Sequence, residues 1–221
     1  MNWRIERLGY RLLCCLLGWG LVGIVYKFTA DYFLMTNSYV QVTVLPLSVI
    51  DEWIVFSSSG VWFYLSFFLF VPLVYLLCPL SRIRWLMLAM QGCALFSGFI
   101  YLIYPTTLDY PPVTDDSLAD RVLKHLISID SSQNCLPSLH ASLTALSVYA
   151  FWQTKEKVWR LLWLTWGVLI CFSIIQLRRH LFIDLMAGIL TAIVIGILSK
   201  IILQLMVIRS DGKKTYKRRI S

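Results

Sequence analysis

The stretch LFIDLMAGILTAIVIGILSKIILQLMV, residues 181–207, sets the fold class of this chain. A membrane helix needs about 20 mostly apolar residues to cross a hydrocarbon core of roughly 30 Å. This run is longer, and Asp184 and Lys200 are its only charged residues. Of the whole chain, 58% is hydrophobic and the mean hydropathy is +0.71, whereas soluble domains contain about 45–50% apolar residues. The sequence therefore predicts an all-α, polytopic membrane protein.

Further apolar runs predict a total of six transmembrane helices in a single membrane domain, residues 1–221. The other five runs are residues 12–26, 61–78, 85–104, 137–152 and 158–177. Residues 32–60 are partly apolar, but Pro46 interrupts them and the acidic pair Asp51 and Glu52 follows. We interpret this segment as an interfacial or re-entrant loop instead of a seventh span.

The charged residues indicate the orientation, because Lys and Arg in short loops mark the cytoplasmic face. With six spans, one side carries the basic residues Arg4, Arg7, Arg11, Arg82, Arg84, Lys155, Lys157, Arg160 and the tail 209–221. The other side carries the acidic residues Asp31, Asp51, Glu52, Asp109, Asp115, Asp116, Asp120 and Asp130. Both termini are therefore predicted to be cytoplasmic. The net charge of +8 is explained by topology, so we expect a bilayer partner and no nucleic acid.

Two of the three histidines lie at the outer ends of predicted spans. His140 opens the fourth span and His180 opens the sixth, so the topology puts them on one face. Asp184 follows His180 by four residues, which is about one helical turn. An ionisable side chain inside a membrane helix is costly unless it is paired and functional. We therefore expect Asp184 to orient the His180 imidazole.

Neighbouring residues add donors for a multiply charged anion. Ser138 lies at the start of the same helix as His140, where free backbone N–H groups favour anions. Arg178 and Arg179 precede His180. Phosphoryl transfer needs a nucleophile held in position by a neighbouring group, a second residue that exchanges protons, and cationic hydrogen-bond donors for the phosphate. These residues supply all of them.

The segments PSLH, residues 137–140, and H-x-x-x-D, residues 180–184, resemble the second and third signature motifs of the type-2 phosphatidic acid phosphatase superfamily. The superfamily includes lipid phosphate phosphatases, polyprenyl pyrophosphate phosphatases and, by fold, vanadium haloperoxidases. The resemblance spans a catalytic motif region of residues 101–188. It implies that His180 forms a phosphohistidine, Asp184 orients it, His140 protonates the leaving oxygen and Ser138 binds phosphate. It also implies six helices, a four-helix type of catalytic core and a site at the outer face.

Two of the family's phosphate-binding cations are missing from their usual positions. The first motif, Lys-x6-Arg-Pro, has no counterpart, because the chain lacks any Arg-Pro and carries Asp109 in the corresponding segment. The third motif usually opens with Ser-Arg, but here Ile174 follows Ser173. We expect Arg178 or Arg179 to replace the third-motif arginine, and Arg121 or Lys124 to replace the first-motif pair.

Simpler interpretations remain open for single residues. Ser138 is a natural helix N-cap, and Asp184 is compatible with a polar contact between helices. Arg178 and Arg179 are compatible with snorkelling to the interface. His140, His180 and Asp184 also make up a two-histidine, one-carboxylate metal site.

The sequence predicts a lipid phosphatase that acts on a phosphatidic acid-like lipid or a polyprenyl pyrophosphate, without cofactor or metal. PSLH, where most of the family has PSGH, resembles the branch containing inositol phosphorylceramide synthase, so transfer of a phospho-headgroup to an alcohol is the alternative. A scaffold or transporter with a degraded site is the non-enzyme alternative. Short loops suit a bacterial enzyme of the inner membrane with its site facing the periplasm.

Overall fold

Long apolar helices make up most of the chain in the computed structural model, which describes residues 3–36, 41–152 and 156–220. The helices are α1 (Trp3–Thr36), α2 (Val49–Trp53), α3 (Val61–Leu77), α4 (Leu80–Ile103), α5 (Leu118–Ile129), α6 (Leu139–Trp152), α7 (Lys157–Gln176) and α8 (Phe182–Ile220). Two short strands, β1 (Thr43–Val44) and β2 (Thr106–Thr107), and a 3-10 turn at Ser58–Gly60 lie between them.

Within the described ranges, five helical segments are long and apolar enough to cross a membrane: Glu6–Phe33, Ser58–Leu77, Leu80–Ile103, Lys157–Gln176 and Phe182–Arg209. Each corresponds to a run that the hydropathy pattern predicted. Large apolar side chains on them, such as Leu16, Phe99 and Ile193, are exposed. Such exposed apolar surface is expected where lipid, instead of water, surrounds a helix. The predicted helical, multi-pass membrane architecture is confirmed at this level.

The remaining predicted span corresponds to α6, which differs from the other five. Its 14 residues extend for about 21 Å, less than the roughly 30 Å of a hydrocarbon core. It packs against α3, α4, α7 and α8, and most of its side chains are buried. α6 is therefore the central helix of the bundle. The sixth span, like the orientation of the termini, stays a prediction.

Basic side chains meet at the end of the bundle away from the two histidines. The Arg11 guanidinium of α1 donates hydrogen bonds of 2.9 Å to the carbonyls of Tyr75 and Cys78, where α3 ends. Arg82 of α4 and Lys200 of α8 line one cavity. Lys200 follows His180 by 20 residues, which corresponds to about 30 Å along a helix. The two ends of the bundle therefore differ in charge as the sequence indicates.

Short segments between the long helices gather at the histidine end. β1 pairs in parallel with β2, with Thr43 opposite Thr106 and Val44 opposite Thr107. Ser48 caps α2 and Ser117 caps α5, each in a capping box with the aspartate three residues later. The loop predicted over residues 32–60 is found in part: residues 41–57 form β1 and α2 and no helix of membrane length, whereas residues 32–36 belong to α1 and residues 37–40 lie outside the described part of the chain.

Candidate active site

The starts of α6 and α8 bring His140 and His180 together: His140 lies in the first turn of α6, and His180 lies two residues before α8 begins. The Ser138 N–H donates to the Asp184 carbonyl over 3.1 Å, and the Ser142 hydroxyl donates to the Gly188 carbonyl over 2.8 Å. These bonds fix the two helix starts against each other. The imidazole centroids are 5.9 Å apart, so residues forty positions apart in the chain face one small volume.

His180 and Asp184 form the pair expected from their spacing. Nδ1 of His180 lies 3.6 Å from Oδ2 of Asp184, which is longer than a hydrogen bond but close enough for electrostatic attraction. The same oxygen accepts a 2.9 Å hydrogen bond from the Leu181 N–H. Asp184 is fully buried. Neither its Oδ1 nor the Nδ1 of His180 has a hydrogen-bond partner among the described residues.

His140 is held by aromatic side chains of α3. Its ring centroid lies 4.7 Å from that of Tyr64 and 4.5 Å from that of Phe67. Its Nε2 atom is buried and accepts or donates no hydrogen bond within the described part of the chain. The imidazole is therefore packed on its faces while a nitrogen remains available to a ligand.

Ser138 occupies the start of α6 and is fully buried. Its hydroxyl accepts a 3.3 Å hydrogen bond from the Ala141 N–H, which is the contact of an N-cap. The Tyr101 hydroxyl of α4 donates a 2.6 Å hydrogen bond to the neighbouring Pro137 carbonyl. The capping role of Ser138 is thus visible in its contacts, and its role toward phosphate stays a prediction.

Arg179 lies beside the histidines in an ion pair that sequence reasoning missed. Its Nε and one terminal nitrogen donate to Oδ2 of Asp130 over 3.2 and 2.8 Å. The Tyr26 hydroxyl of α1 donates to Oδ1 of the same carboxylate. Tyr110 covers the guanidinium, whose carbon lies 4.8 Å from the ring centroid. Burial alone would raise the pKa of Asp130, but Arg179 and Tyr26 outweigh it and hold this pKa below its usual value.

Arg178 points to a different part of the molecule. One terminal nitrogen donates to the carbonyls of Asp51 and Ile54 over 2.6 and 2.8 Å, so the side chain attaches α2 to the loop before α8. Arg178 and Arg179 are 9% and 5% exposed, so neither snorkels into solvent. The contacts of Arg178 favour a structural role, and its predicted phosphate binding has no further support.

Arg121 and Lys124 are exposed on α5. Arg121 pairs with Asp116 over 3.2 Å, and the Lys124 ammonium donates to the Asp115 carbonyl over 2.8 Å. These contacts direct both side chains toward the acidic loop and not toward the histidines. Their predicted replacement of the first-motif cations stays a prediction.

Cys135 is a second residue that the sequence analysis missed. Its sulfur, one nitrogen of His180 and one oxygen of Asp184 lie within 4.8 Å of one another, and all three residues are buried. His140, proposed above as the other ligand of a metal site, does not belong to this group. In the sequence, Cys135 is distinguished only by lying in the outer loop, two residues before the PSLH motif.

An apolar cavity of about 310 Å³ leads to His140. It lies between α1, α3, α5 and α6, and its lining residues include Trp19, Gly23, Phe68, Ile129 and Leu143. The polar side chains at its wall include His140 and Asp130. The cavity can therefore hold an apolar chain whose polar end meets His140.

Comparison with known proteins finds one family. Residues 101–206 match the family model described as the PAP2 superfamily. The match extends from the last turn of α4 into α8 and includes His140, His180 and Asp184. No curated protein and no solved structure shows a significant match.

Proposed function

Because residues 101–206 match the family model of the PAP2 superfamily, we propose that the chain belongs to this superfamily and is a membrane-embedded lipid phosphatase with a phosphohistidine intermediate. The match agrees with the family predicted from PSLH and H-x-x-x-D at the level of the superfamily. Membership implies phosphatase or phosphotransferase activity on phosphate esters. The lipid substrate, the residues and their roles are our proposal.

One observation carries the proposal: the two histidine rings lie 5.9 Å apart, and the fully buried carboxylate of Asp184 faces His180. Asp184 faces Nδ1 of His180, whereas His140 is packed between aromatic rings. Two imidazoles in different environments are suited to different tasks. The histidine with the carboxylate acts as nucleophile, and the other acts as acid and then as base.

In the first step, Nε2 of His180 attacks phosphorus in line with the leaving oxygen. The Nδ1–H of His180 approaches Asp184 from the observed 3.6 Å and donates a hydrogen bond to its carboxylate, so that the lone pair of Nε2 is directed at the substrate. A P–N bond forms and the bond from phosphorus to the lipid oxygen breaks. His140, protonated at this stage, donates its proton to that oxygen, and the lipid leaves as an alcohol or as a monophosphate.

In the second step, His140 accepts a proton from water as the water oxygen attacks the phosphohistidine. The P–N bond breaks, inorganic phosphate is released and His140 regains the protonated form of the first step. An alcohol that replaces water in this step gives a new phosphodiester. Hydrolysis and transfer thus use the same side chains and differ only in the acceptor.

Arg179 is the proposed cation for the phosphoryl oxygens. It precedes His180 directly and, unlike Arg178, keeps its guanidinium on the same side as the histidines, against Asp130. The Ser138 hydroxyl and the N–H groups at the start of α6 are further donors. Arg178, Arg121 and Lys124 are weaker candidates, because their contacts lie elsewhere. Metal is not required in this scheme, since these donors stabilise the charge.

The substrate is proposed to be a lipid because the cavity of about 310 Å³ that reaches His140 has an apolar lining. An isoprenoid or acyl chain fits such a lining, while a water-soluble phosphate ester has no use for it. The proposed site faces the periplasm, at the end of the bundle opposite the basic side chains, in a bacterial inner membrane. The lipid then reaches the site from the outer leaflet.

The test is a product analysis of purified protein in detergent with a metal chelator present. Wild type and His180→Asn receive phosphatidic acid, a polyprenyl pyrophosphate or phosphatidylinositol, and free phosphate and new lipids are measured. We expect free phosphate from the wild type and none from His180→Asn. His140→Ala should lower the rate by about 10²–10⁴-fold, as for loss of a general acid and base.

Other outcomes separate the alternatives. A new phospholipid in place of free phosphate identifies a transferase, and folded wild type without any product identifies a scaffold or transporter. Arg179→Ala should raise KM for the phosphate ester, whereas Arg121→Ala and Lys124→Ala serve as controls with exposed cations. An unchanged KM in Arg179→Ala would remove Arg179 from the proposed site.

A further inference from the structure

Cys135, His180 and Asp184 form a cluster of potential metal ligands, and the proposed phosphatase mechanism uses the histidine and the aspartate but gives Cys135 no role. Each residue offers one ligand atom, and these atoms lie within 4.8 Å of one another. The residues come from two separate parts of the chain: Cys135 lies in the loop before α6, and the other two surround the start of α8. They are 1%, 6% and 0% exposed, respectively.

Unpartnered polar atoms point to a ligand at this cluster. Nδ1 of His180 and Oδ1 of Asp184 are buried and have no hydrogen-bond partner among the described residues. Buried polar atoms are normally satisfied, so such atoms call for an ion, a water or a substrate. Cys135 is a free thiol and adds the soft sulfur that distinguishes a metal site from a purely polar one.

We propose that Cys135, His180 and Asp184 bind Zn²⁺ and that this ion inhibits the enzyme. Sulfur, nitrogen and carboxylate oxygen are zinc ligands, with bonds of about 2.0–2.3 Å, so that neighbouring ligand atoms of a tetrahedral site are roughly 3.3–3.7 Å apart. A contraction of about 1 Å brings the observed atoms to that geometry. Mg²⁺ and Ca²⁺ prefer oxygen ligands and do not fit a thiolate.

The inhibitory effect rests on the proposed function. On binding, the Cys135 thiol releases a proton to solvent and the thiolate donates an electron pair to Zn²⁺. Asp184 becomes a ligand and no longer orients the imidazole. His180, with a cation bound to its ring, is a poorer nucleophile toward phosphorus. The fourth zinc position remains for water or a phosphate oxygen.

Binding is tested without any activity measurement. Metal-free protein in detergent is titrated with Co²⁺, which occupies zinc sites and gives a thiolate-to-metal charge-transfer absorption in the near ultraviolet. We expect this absorption in the wild type and in the control Cys171→Ser, whose thiol lies on α7 outside the cluster. Cys135→Ser and Cys135→Ala should both lack it. An absorption that persists in folded Cys135 variants, or none in the wild type, overturns the proposed site.

Inhibition is then tested by titrating Zn²⁺ against phosphate release, with each variant normalised to its own zinc-free rate. Half-inhibition should require at least about tenfold more Zn²⁺ in Cys135→Ser than in wild type or Cys171→Ser, since loss of even an outer-shell contact weakens metal binding by that order. Equal sensitivity of all three proteins overturns the inhibition. If the wild type releases no phosphate, the proposed function fails, while the Co²⁺ absorption still decides the metal site.

Discussion

Arg179 illustrates how a single buried charge dictates its surroundings. Its side chain is 4% exposed and that of Asp130 is 12% exposed. An unpaired guanidinium at such a position is strongly unfavourable, because burial removes its water without replacing it. The carboxylate of Asp130, the hydroxyl of Tyr26 and the ring of Tyr110 together replace that water. The ion pair therefore links α1, the loop before α6 and the start of α8.

The first prediction concerns this pair. Asp130→Asn should lower the free energy of unfolding by about 3–5 kcal/mol, because the buried Arg179 charge loses its partner. The thermal midpoint in detergent measures the effect. Asp116→Asn is the matched control: its partner Arg121 and Asp116 itself are 65% and 76% exposed, and such pairs contribute less than about 1 kcal/mol. Equal shifts of the thermal midpoint in Asp130→Asn and Asp116→Asn would contradict the expectation that a buried ion pair stabilises the fold more than an exposed one.

The same pair predicts a dependence of stability on pH. Arg179 and Tyr26 hold the pKa of Asp130 below its usual value despite its burial. A carboxylate whose pKa is lower in the folded state than the unfolded value of about 3.9 stabilises the fold above that value. This contribution is lost as the pH falls through the folded pKa. The difference in thermal midpoint between wild type and Asp130→Asn should therefore shrink on acidification below about pH 4.

Among the helices, the contact between α6 and α8 determines the distance between the two histidines. Gly188 makes this contact possible: a Cβ atom there would lie 2.4 Å from the Ser138 carbonyl oxygen and 3.0 Å from Cβ of Ala141. Both neighbours belong to the segment that carries His140. Any side chain at position 188 thus acts on the site, although Gly188 touches neither histidine.

The second prediction is that Gly188→Ala separates α6 from α8. Overpacking of this kind costs about 1–3 kcal/mol, and the altered ring separation should reduce phosphate release more than it changes KM. Activity and thermal midpoint are measured together. Gly9→Ala on α1 is the control, because a Cβ there meets nothing within 4 Å. The free energy of unfolding of Gly9→Ala should stay unchanged or rise by up to about 1 kcal/mol, because alanine is more favourable than glycine within a helix.

Arg178 has an unfavourable backbone conformation, and hydrogen bonds from its side chain to a distant segment offset the energetic cost. Its φ of 51° lies in the left-handed region, which costs a non-glycine residue roughly 1–2 kcal/mol. The hydrogen bonds from its guanidinium to the Asp51 and Ile54 carbonyls compensate for that strain. Asp51 in turn accepts a 2.7 Å hydrogen bond from the Phe182 N–H at the start of α8. The two contacts attach α2 to the segment that leads into α8.

The distribution of charged residues and apolar surface over the whole molecule predicts its orientation in a bilayer. The long helices expose leucine, isoleucine and phenylalanine side chains. Basic side chains lie at one end and the histidines at the other. The third prediction follows from six spans with the site outside.

A membrane-impermeant maleimide should label Asp116→Cys in intact cells and Ser210→Cys only after the membrane is opened. Asp116 precedes α5 at the histidine end, and residue 210 lies beyond the membrane segment of α8. Wild type measures the background from the six native cysteines, of which four are buried. Labelling of Ser210→Cys alone in intact cells would show the inverted orientation, and labelling of both would contradict the topology.

Hydropathy, charge and motif spacing were enough to predict the helical membrane class, five helices and the superfamily. These features are local: apolar runs of membrane length must form helices because lipid offers no hydrogen bonds to the backbone. The His180–Asp184 pair is likewise local, because only three residues separate the two; helix α8, however, begins at Phe182, so the turn before α8 and not helical spacing brings His180 toward Asp184. Ser48 and Ser117, each three residues before an aspartate, carry capping-box signals of the same kind.

The contacts of Asp130, Cys135 and Arg178 depend on the packing of distant segments. Charge pattern assigned Asp130 to the acidic face, but its pairing with Arg179 requires the loop before α6 to meet the start of α8. Cys135 gains its proximity to His180 and Asp184 in the same way. Arg178 and Arg179 are adjacent and chemically identical, yet one attaches α2 and the other lies at the histidines. Sequence spacing fixes neighbours along one helix, whereas contacts between helices depend on the close packing of all their side chains.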